Sequence, residues 1–398
     1  MGRASMKRRK DLYRHIHDWD NLVLAYHKAR KSKRSKPNVA TFELNWEQHL
    51  LRLEAELASG LWQPGPYHAF WIHDPKKRLI SAAPFPDRIV HHAVCQVIEP
   101  LFEPAFIFDS YACRPRSVGF QPAALTATEA VPDRAAGWKP TLRGVVHVKG
   151  THAAVDRYTE FSRKNRYVLK CDVRRFFPSI DHQLLLELLA RKIGCRRTLE
   201  LLSLIVTSSN PQEQVVQYFP GDDLFTPHER RRGLPIGNLT SQFFANVYLN
   251  PFDHFVKEEL GCRCYIRYCD DFVIFGDDKR ELGRTAERLA DRLSAVRLKL
   301  HERKCQVRRV DEGVDFLGYR IWPTHRRLRR ESVLRFKRRR RVLRKAWRAG
   351  DTELANVRAS MASWVGHAKH ADTWRLREAL ANFAWGGRQQ DDHGLPEV

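Results

Sequence analysis

The chain of 398 residues is short of several features that would assign it to a familiar class. No apolar run approaches the roughly 18–20 residues that a membrane-crossing helix needs, so no membrane partner is expected. The opening stretch, MGRASMKRRKDLYRHIHDWD, is basic but has no apolar run behind it, which excludes a secretory signal. Met1-Gly2 is followed by Met6 where an acylation site needs Ser or Thr. The eight cysteines are scattered, and only Cys262 and Cys264 are close together; without a second pair they make no zinc site. Reduced thiols in a cytoplasmic protein are expected. No internal repeat is present. Acidic residues are the remaining shortage: 46 Asp+Glu stand against 70 Lys+Arg, a net charge of +24. Such an excess calls for a polyanionic partner, of which nucleic acid is the commonest.

With 43% hydrophobic residues the chain is long enough for two or three cored domains or subdomains. LVLAYHKARKSKRSK predicts a helix with a charged tail, and residues 46–57 a second helix stopped by Gly60. AFWIHDPKKRLISAAPFP predicts two short strands around a basic turn at Pro75–Arg78, and DRIVHHAVCQVIEPLFEPAF returns to helical period. Residues 115–148 lose all period and read as a surface loop without chemistry. RYVLKCDV predicts a buried strand ending at Asp172; HQLLLELLARKIG and RTAERLADRLSAVRLKL predict helices. YIRYCDDFVIF predicts strand, tight turn at Tyr268–Asp271, strand. VDFLGYRIW predicts a strand or hairpin arm. Thirteen Lys/Arg between Arg326 and Arg348 suit a helix, and WVGHAKHADTWRLREALANFAW a last helical segment. The fold class is α+β.

Nucleotidyl transfer needs two divalent metals bridged by carboxylates and phosphate oxygens. Magnesium keeps several waters and takes few protein ligands, so two or three aspartates at strand ends suffice. Asp172 and the pair Asp270–Asp271 answer that description if their strands are neighbours. Because successive strand residues face opposite sides, Asp172 and Asp270 rank first and Asp271 third. Two further DD pairs act as controls. Asp222–Asp223 and Asp277–Asp278 lack apolar strands on both sides and read as ordinary solvated turns.

Taken in order, VLKCDVRRFF, GLPIGNLTSQ, YCDD, LKLHERKC and FLGY resemble the palm of a reverse transcriptase. KKRLISAAPFPDRIVHHAVCQVIEP resembles its fingers, and SYACR with KGTHAAVDRY the segment that follows; the insertion at 116–148 separates these two. The resemblance runs from about residue 40 to 385. It is nearest to the reverse transcriptases of diversity-generating retroelements, because residues 236–242 read IGNLTSQ where most bacterial relatives have QGxxxSP. SWVGHAKHAD at 363–372 is similar to the thumb of that group, and no nuclease-like Cys/His array follows it.

The resemblance implies a right-hand polymerase. A basic extension (1–40) precedes fingers (41–165, interrupted by the insertion), a palm (166–322, with interleaved fingers elements), a basic helical thumb (323–385) and a polar tail (386–398). It implies that Asp172, Asp270 and Asp271 are catalytic and hold two Mg2+ ions, or Mn2+ in their place, with the backbone carbonyl of Val173. It implies nucleotide contacts from Arg78 and neighbouring Lys77, with Arg88 and Arg114 as weaker candidates. Phe177 would exclude the 2′-hydroxyl, Ile236, Gly237 and Gln242 would line the nucleotide pocket, and Lys304 would assist proton transfer to pyrophosphate. Gly237 also lets the backbone come close to nucleotide or template. Primer or template contacts are implied for Tyr268 and for Phe316, Leu317, Gly318 and Tyr319. The basic run with Arg338 and Arg341 becomes a duplex-phosphate track. His367 and His370, spaced i, i+3 on a predicted helix, are compatible with a metal, but a helix face against nucleic acid is the better expectation.

The expected function is RNA-directed DNA synthesis, error-prone at template adenines, with dNTPs, a template RNA and the cDNA/RNA duplex as ligands. A small basic helical accessory protein is the implied partner. The alternatives are a retron, defence or group II intron-type reverse transcriptase, and an RNA-binding protein with an inactive palm. A viral-type RNA polymerase fits less well, given Phe177 and YCDD.

Overall fold

The computed structural model describes residues 8–73, 77–114, 149–208 and 215–381. The loop expected at 116–148, the tip of the basic turn at 74–76 and the tail at 386–398 lie outside these residues. The chain divides into two compact units. The first comprises Met1–Ala154 and Leu169–Val307, the second Val155–Val168 and Arg308–Val398. Among the described residues no helix is long and apolar enough to cross a membrane.

The first unit opens with helices whose ends follow from their sequence. Asp18 caps the Trp19–Arg30 helix by accepting from the amides of Asp20 and Asn21. The Trp46–Ser59 helix stops at Gly60, which takes the left-handed φ of 77° that a glycine enters at little cost. Trp19–Arg30 buries Leu22, Ala25 and Tyr26 in the same core as Ile89, Val90 and Val94 of the long Phe85–Phe102 helix. Between these helices β1 (His68–Ile72) and β2 (Arg78–Ala82) form an antiparallel two-stranded sheet. β1 is exposed along its whole length, including Phe70, Trp71 and Ile72.

The central sheet has the order β4-β5-β3-β6, with β3 at Tyr167–Asp172, β4 at Tyr265–Tyr268, β5 at Asp271–Gly276 and β6 at Gln306–Arg309. β4 and β5 pair antiparallel, closing on Tyr268 opposite Asp271. The Leu239–His254 helix is buried on nearly every side, with Phe243, Phe244, Val247, Tyr248 and Leu249 in the core. Helix Lys279–Ala295 is shorter than its period predicts. Arg297 turns into the left-handed region, φ 57°, and VRLKL leaves the helix.

In the second unit VDFLGYRIW forms both arms of a hairpin, β7 (Val314–Phe316) and β8 (Tyr319–Ile321), with β9 (Arg326–Leu328) beside β8. The basic run folds as the Arg330–Ala349 helix, where Phe336 stacks on Trp364 at 4.1 Å between ring centroids. The last helical segment is two helices, Leu354–Ala368 and Trp374–Ala381. Between them the Thr373 hydroxyl donates to the Ala368 carbonyl at 2.7 Å, which ends the first helix and turns the chain.

Candidate active site

Strand β3 is apolar up to its last residue: Val168, Leu169 and Cys171 are buried, and Asp172 ends it with a side chain 13% exposed. The segment after the Lys279–Ala295 helix runs alongside this end. The Arg174 amide donates to the Lys299 carbonyl and the His301 amide to the Asp172 carbonyl, both at 2.8 Å. The β4–β5 turn has two central residues, Cys269 and Asp270, with Cys269 at φ 57°. The Val173 amide donates to the Asp270 carbonyl at 3.1 Å, tying the turn to the end of β3.

These connections gather the three aspartates. The charge of Asp172 acts on both Asp270 and Asp271. Burial, then the charge of Asp270, raises the Asp271 carboxyl from its ordinary 3.8 to about 6. Burial also raises Asp270; the charge of Asp172 adds to the rise, while Arg78 and Lys304 oppose it. Strand alternation ranked Asp271 last, but β5 lies next to β3, and this lateral neighbour relation brings Asp271 to Asp172. The control pairs behave differently. Asp222 and Asp223 have lowered carboxyls, Asp222 mainly through Arg230 and Asp223 through Thr226, and Asp278 caps the Lys279–Ala295 helix.

Among the described residues no group of three or more His, Cys, Asp or Glu side chains stands ready as a metal cage. The chemistry of the three aspartates nonetheless suits a divalent cation. Their oxygens are hard donors, burial and then neighbouring negative charge disfavour the ionised forms of Asp270 and Asp271, and one oxygen already carries a cation: Lys304 Nζ lies 2.8 Å from Asp172 Oδ2.

The first unit also carries the other residues in its range that are expected at the site. Arg78 starts β2, and its charge reaches Asp270. The Lys77 ammonium sits over the Trp71 ring at 4.5 Å. Ile236 is half-buried, and its carbonyl accepts from the Ser81 amide of β2 at 3.3 Å. Gly237 has φ 122°, and a Cβ there would meet Ile80 Cγ2 at 3.2 Å, so the turn needs glycine. Gln242 is exposed on the first turn of the Leu239–His254 helix. Phe176 is buried, whereas Phe177 is half-exposed and its carbonyl accepts from the Leu234 amide at 2.9 Å. The Tyr268 hydroxyl lies 3.0 Å from Thr151 Oγ1. Arg114 and Arg88 are committed elsewhere. Arg114 is buried against Glu103 at 2.5 Å and the Ile107 and Ser110 carbonyls, and Arg88 donates to the Ala83 carbonyl.

The second unit holds the remaining candidates. Phe316 is buried and stacked on Tyr158, and buried Tyr319 donates to the His367 carbonyl at 2.9 Å. The half-exposed part of this motif is therefore the turn, where Leu317 and Gly318 both have positive φ, 47° and 91°. His370 lies beyond the end of the Leu354–Ala368 helix, so it does not share a helical face with His367. Arg338 and Arg341 are exposed.

One network escapes motif reading. Arg267 in β4 is fully buried and donates to both oxygens of Asp253, from Nε at 2.7 and 3.0 Å and from Nη2 at 2.7 Å. Its Nη1 reaches Asn246 Oδ1 at 3.1 Å and the Cys269 carbonyl at 3.3 Å, and Tyr265 donates to Asp253 at 2.7 Å. A charged residue inside the apolar run YIRY was the available signal, because a buried guanidinium must have a partner.

A family model described as reverse transcriptase (RNA-dependent DNA polymerase) matches residues 73–321, more than half of the chain and the stretch that holds all three aspartates. That match defines a template-directed nucleotidyltransferase. More narrowly, the chain belongs to the reverse transcriptase family and is an RNA-directed DNA polymerase. It is similar to protein YkfC of Escherichia coli (strain K12), 24% identical over 305 residues, which cover 68% of this chain and 70% of YkfC. It is also similar to the group II intron-encoded protein LtrA of Lactococcus lactis subsp. cremoris, 22% identical over 215 residues, covering 53% of this chain and 29% of LtrA.

Proposed function

We propose that the protein copies a template RNA into cDNA at the Asp172–Asp270–Asp271 cluster. The primer 3′-hydroxyl oxygen attacks the α-phosphorus of a dNTP, the new phosphodiester forms, and the bond to the leaving pyrophosphate breaks. The observation that carries this reading is the meeting of three carboxyls, close enough for their charges to act on one another, at the end of two neighbouring strands inside the family match. Asp172, Asp270, Asp271 and the Val173 carbonyl would hold two magnesium ions, or manganese in their place, which neutralise charge on the attacking and leaving oxygens.

In this reading Arg78 and Lys77 bind the triphosphate, the guanidinium by paired hydrogen bonds. Lys77 leaves the Trp71 ring to do so. Phe177 closes the space a 2′-hydroxyl would need. Lys304 leaves Asp172 and delivers a proton to pyrophosphate. The half-exposed Leu317–Gly318 turn contacts the primer end, Tyr268 the primer or template, and Arg338 and Arg341 the duplex phosphates. Residues 41–165 then supply the fingers, 166–322 the palm with interleaved fingers elements, and 323–385 the basic helical thumb. Asp270→Asn is expected to abolish synthesis by purified protein given RNA template, primer, dNTPs and accessory protein. Synthesis that survives the substitution overturns the proposal.

We further propose the diversity-generating type, in a bacterial or phage-encoded cytoplasmic system with a small basic helical accessory protein. Its support is IGNLTSQ at 236–242 and SWVGHAKHAD at 363–372. Ile236 stands where a glutamine could hydrogen-bond near the incoming nucleotide, and an apolar side chain there relaxes checking of the base pair. Ile236→Gln is expected to lower misincorporation opposite template adenine, read by sequencing cDNA products; an unchanged error spectrum rejects that role. The likeness to LtrA favours a second reading, a group II intron-type enzyme. The same sequencing separates the two, because errors confined to adenines belong to the first alone.

A further inference from the structure

Two cysteines that play no part in the proposed chemistry flank the two partners of the Asp172–Lys304 ion pair. Cys171 precedes Asp172 at the end of β3, and Cys305 follows Lys304. Their sulfurs are 3.0 Å apart although 134 residues separate them in sequence. Both are free thiols. The contact is built by the backbone. The His301 amide donates to the Asp172 carbonyl, and the Lys304 and Cys305 amides donate back to the His301 carbonyl at 2.8 and 3.1 Å. This tight turn presents Lys304 to Asp172 and Cys305 to Cys171. Cys171 is fully buried, whereas Cys305 is half-exposed, so a reagent from solvent meets Cys305 first.

We propose that Cys171 and Cys305 are a disulfide-forming modification site that fixes the Lys304 turn against β3. The co-reactant is a low-molecular-weight disulfide such as oxidised glutathione. The Cys305 sulfur attacks one glutathione sulfur, forms a mixed disulfide and releases one glutathione thiol, which takes the Cys305 proton. The Cys171 sulfur then attacks the Cys305 sulfur; the Cys305–glutathione bond breaks, and the second glutathione leaves with the Cys171 proton. Two protein thiols are oxidised, and one small disulfide is reduced to two thiols. The sulfurs need close by only about 1 Å to reach the covalent distance of about 2.05 Å.

The consequence rests on the proposed function. A divalent cation that takes Asp172 Oδ2 must displace the Lys304 ammonium, and a disulfide one residue from Lys304 holds its turn in place. The oxidised enzyme should therefore need several-fold more Mg2+ for half-maximal synthesis, and dithiothreitol should reverse this.

The test starts with the full chain incubated in oxidised glutathione, alkylated and digested with trypsin. Cleavage after Lys170, Arg174, Lys304 and Arg308 yields the peptides Cys171–Arg174 and Cys305–Arg308. The expected product is these two joined and lighter by two hydrogens, returning to separate peptides on reduction. Both peptides recovered alkylated, or Cys305 carrying glutathione without the cross-link, overturns the site. This readout needs no polymerase activity, so it stands or falls apart from the proposed function. In Mg2+ titrations Cys305→Ala should copy like the reduced wild type and ignore glutathione, with circular dichroism confirming its fold. A cross-link that leaves the wild-type Mg2+ requirement unchanged overturns the coupling to Lys304.

Discussion

At residue scale the site opposes folding by burying carboxyls and, beyond that, by crowding their negative charge. Asp271, raised to about 6 from 3.8, binds more protons folded than unfolded between those values. Stability therefore falls as pH rises through about 6. Asp271→Asn removes the charge and should stabilise the protein at pH 7.5 by on the order of 1–3 kcal/mol, a gain that shrinks at pH 5. Melting curves at the two pH values check this, and an equal gain at both rejects it. If the aspartates hold Mg2+ as proposed, wild-type synthesis should rise with pH through about 6, at a lower pH when Mg2+ is raised, because cation and proton would compete for the same oxygens. The three aspartates are legible in the sequence, since carboxylates held between apolar strands stand out from those in polar turns. The partners are not legible. Lys304 on Asp172 and Cys305 against Cys171 join positions more than 130 residues apart, and no local period encodes such a meeting.

At the scale of elements, the Arg267–Asp253 pair fastens β4 to the Leu239–His254 helix and, through the Cys269 carbonyl, supports the turn that carries Asp270. A buried charge left alone is costly. Asp253→Ala should destabilise the protein by about 3–5 kcal/mol in urea denaturation, whereas Arg267→Met combined with Asp253→Leu should lose less. A double variant as unstable as the single one rejects this account. The elements themselves follow the sequence closely where one signal dominates. Gly60 stops its helix, Asp18 starts one, and the YCDD hairpin closes at Tyr268 and Asp271. The sequence misleads where helical period outruns the helix. VRLKL turns away at Arg297, and the last segment breaks at 369–373, where Thr373 bonds back to Ala368. Period records which residues are apolar, and a chain reversal leaves it intact.

For the whole molecule, the excess of positive charge sets how it meets nucleic acid. Each phosphate contact releases counterions, so affinity for an RNA–DNA duplex should fall steeply with salt. Replacing Arg338 and Arg341 together by glutamine should weaken binding and make the slope of log affinity against log salt shallower by about 1–2, measured by fluorescence anisotropy; an unchanged slope removes these arginines from the interface. The exposed strand β1 gives the same charge a second role. Among the described residues no third strand pairs with its two-stranded sheet, and Phe70, Trp71 and Ile72 beside that edge are exposed. At low ionic strength the +24 charge keeps two molecules from bringing such edges together. Screening shortens from about 10 Å at 0.1 M to about 3 Å at 1 M salt. The buffer that strips bound RNA thus also removes the repulsion that guards this edge.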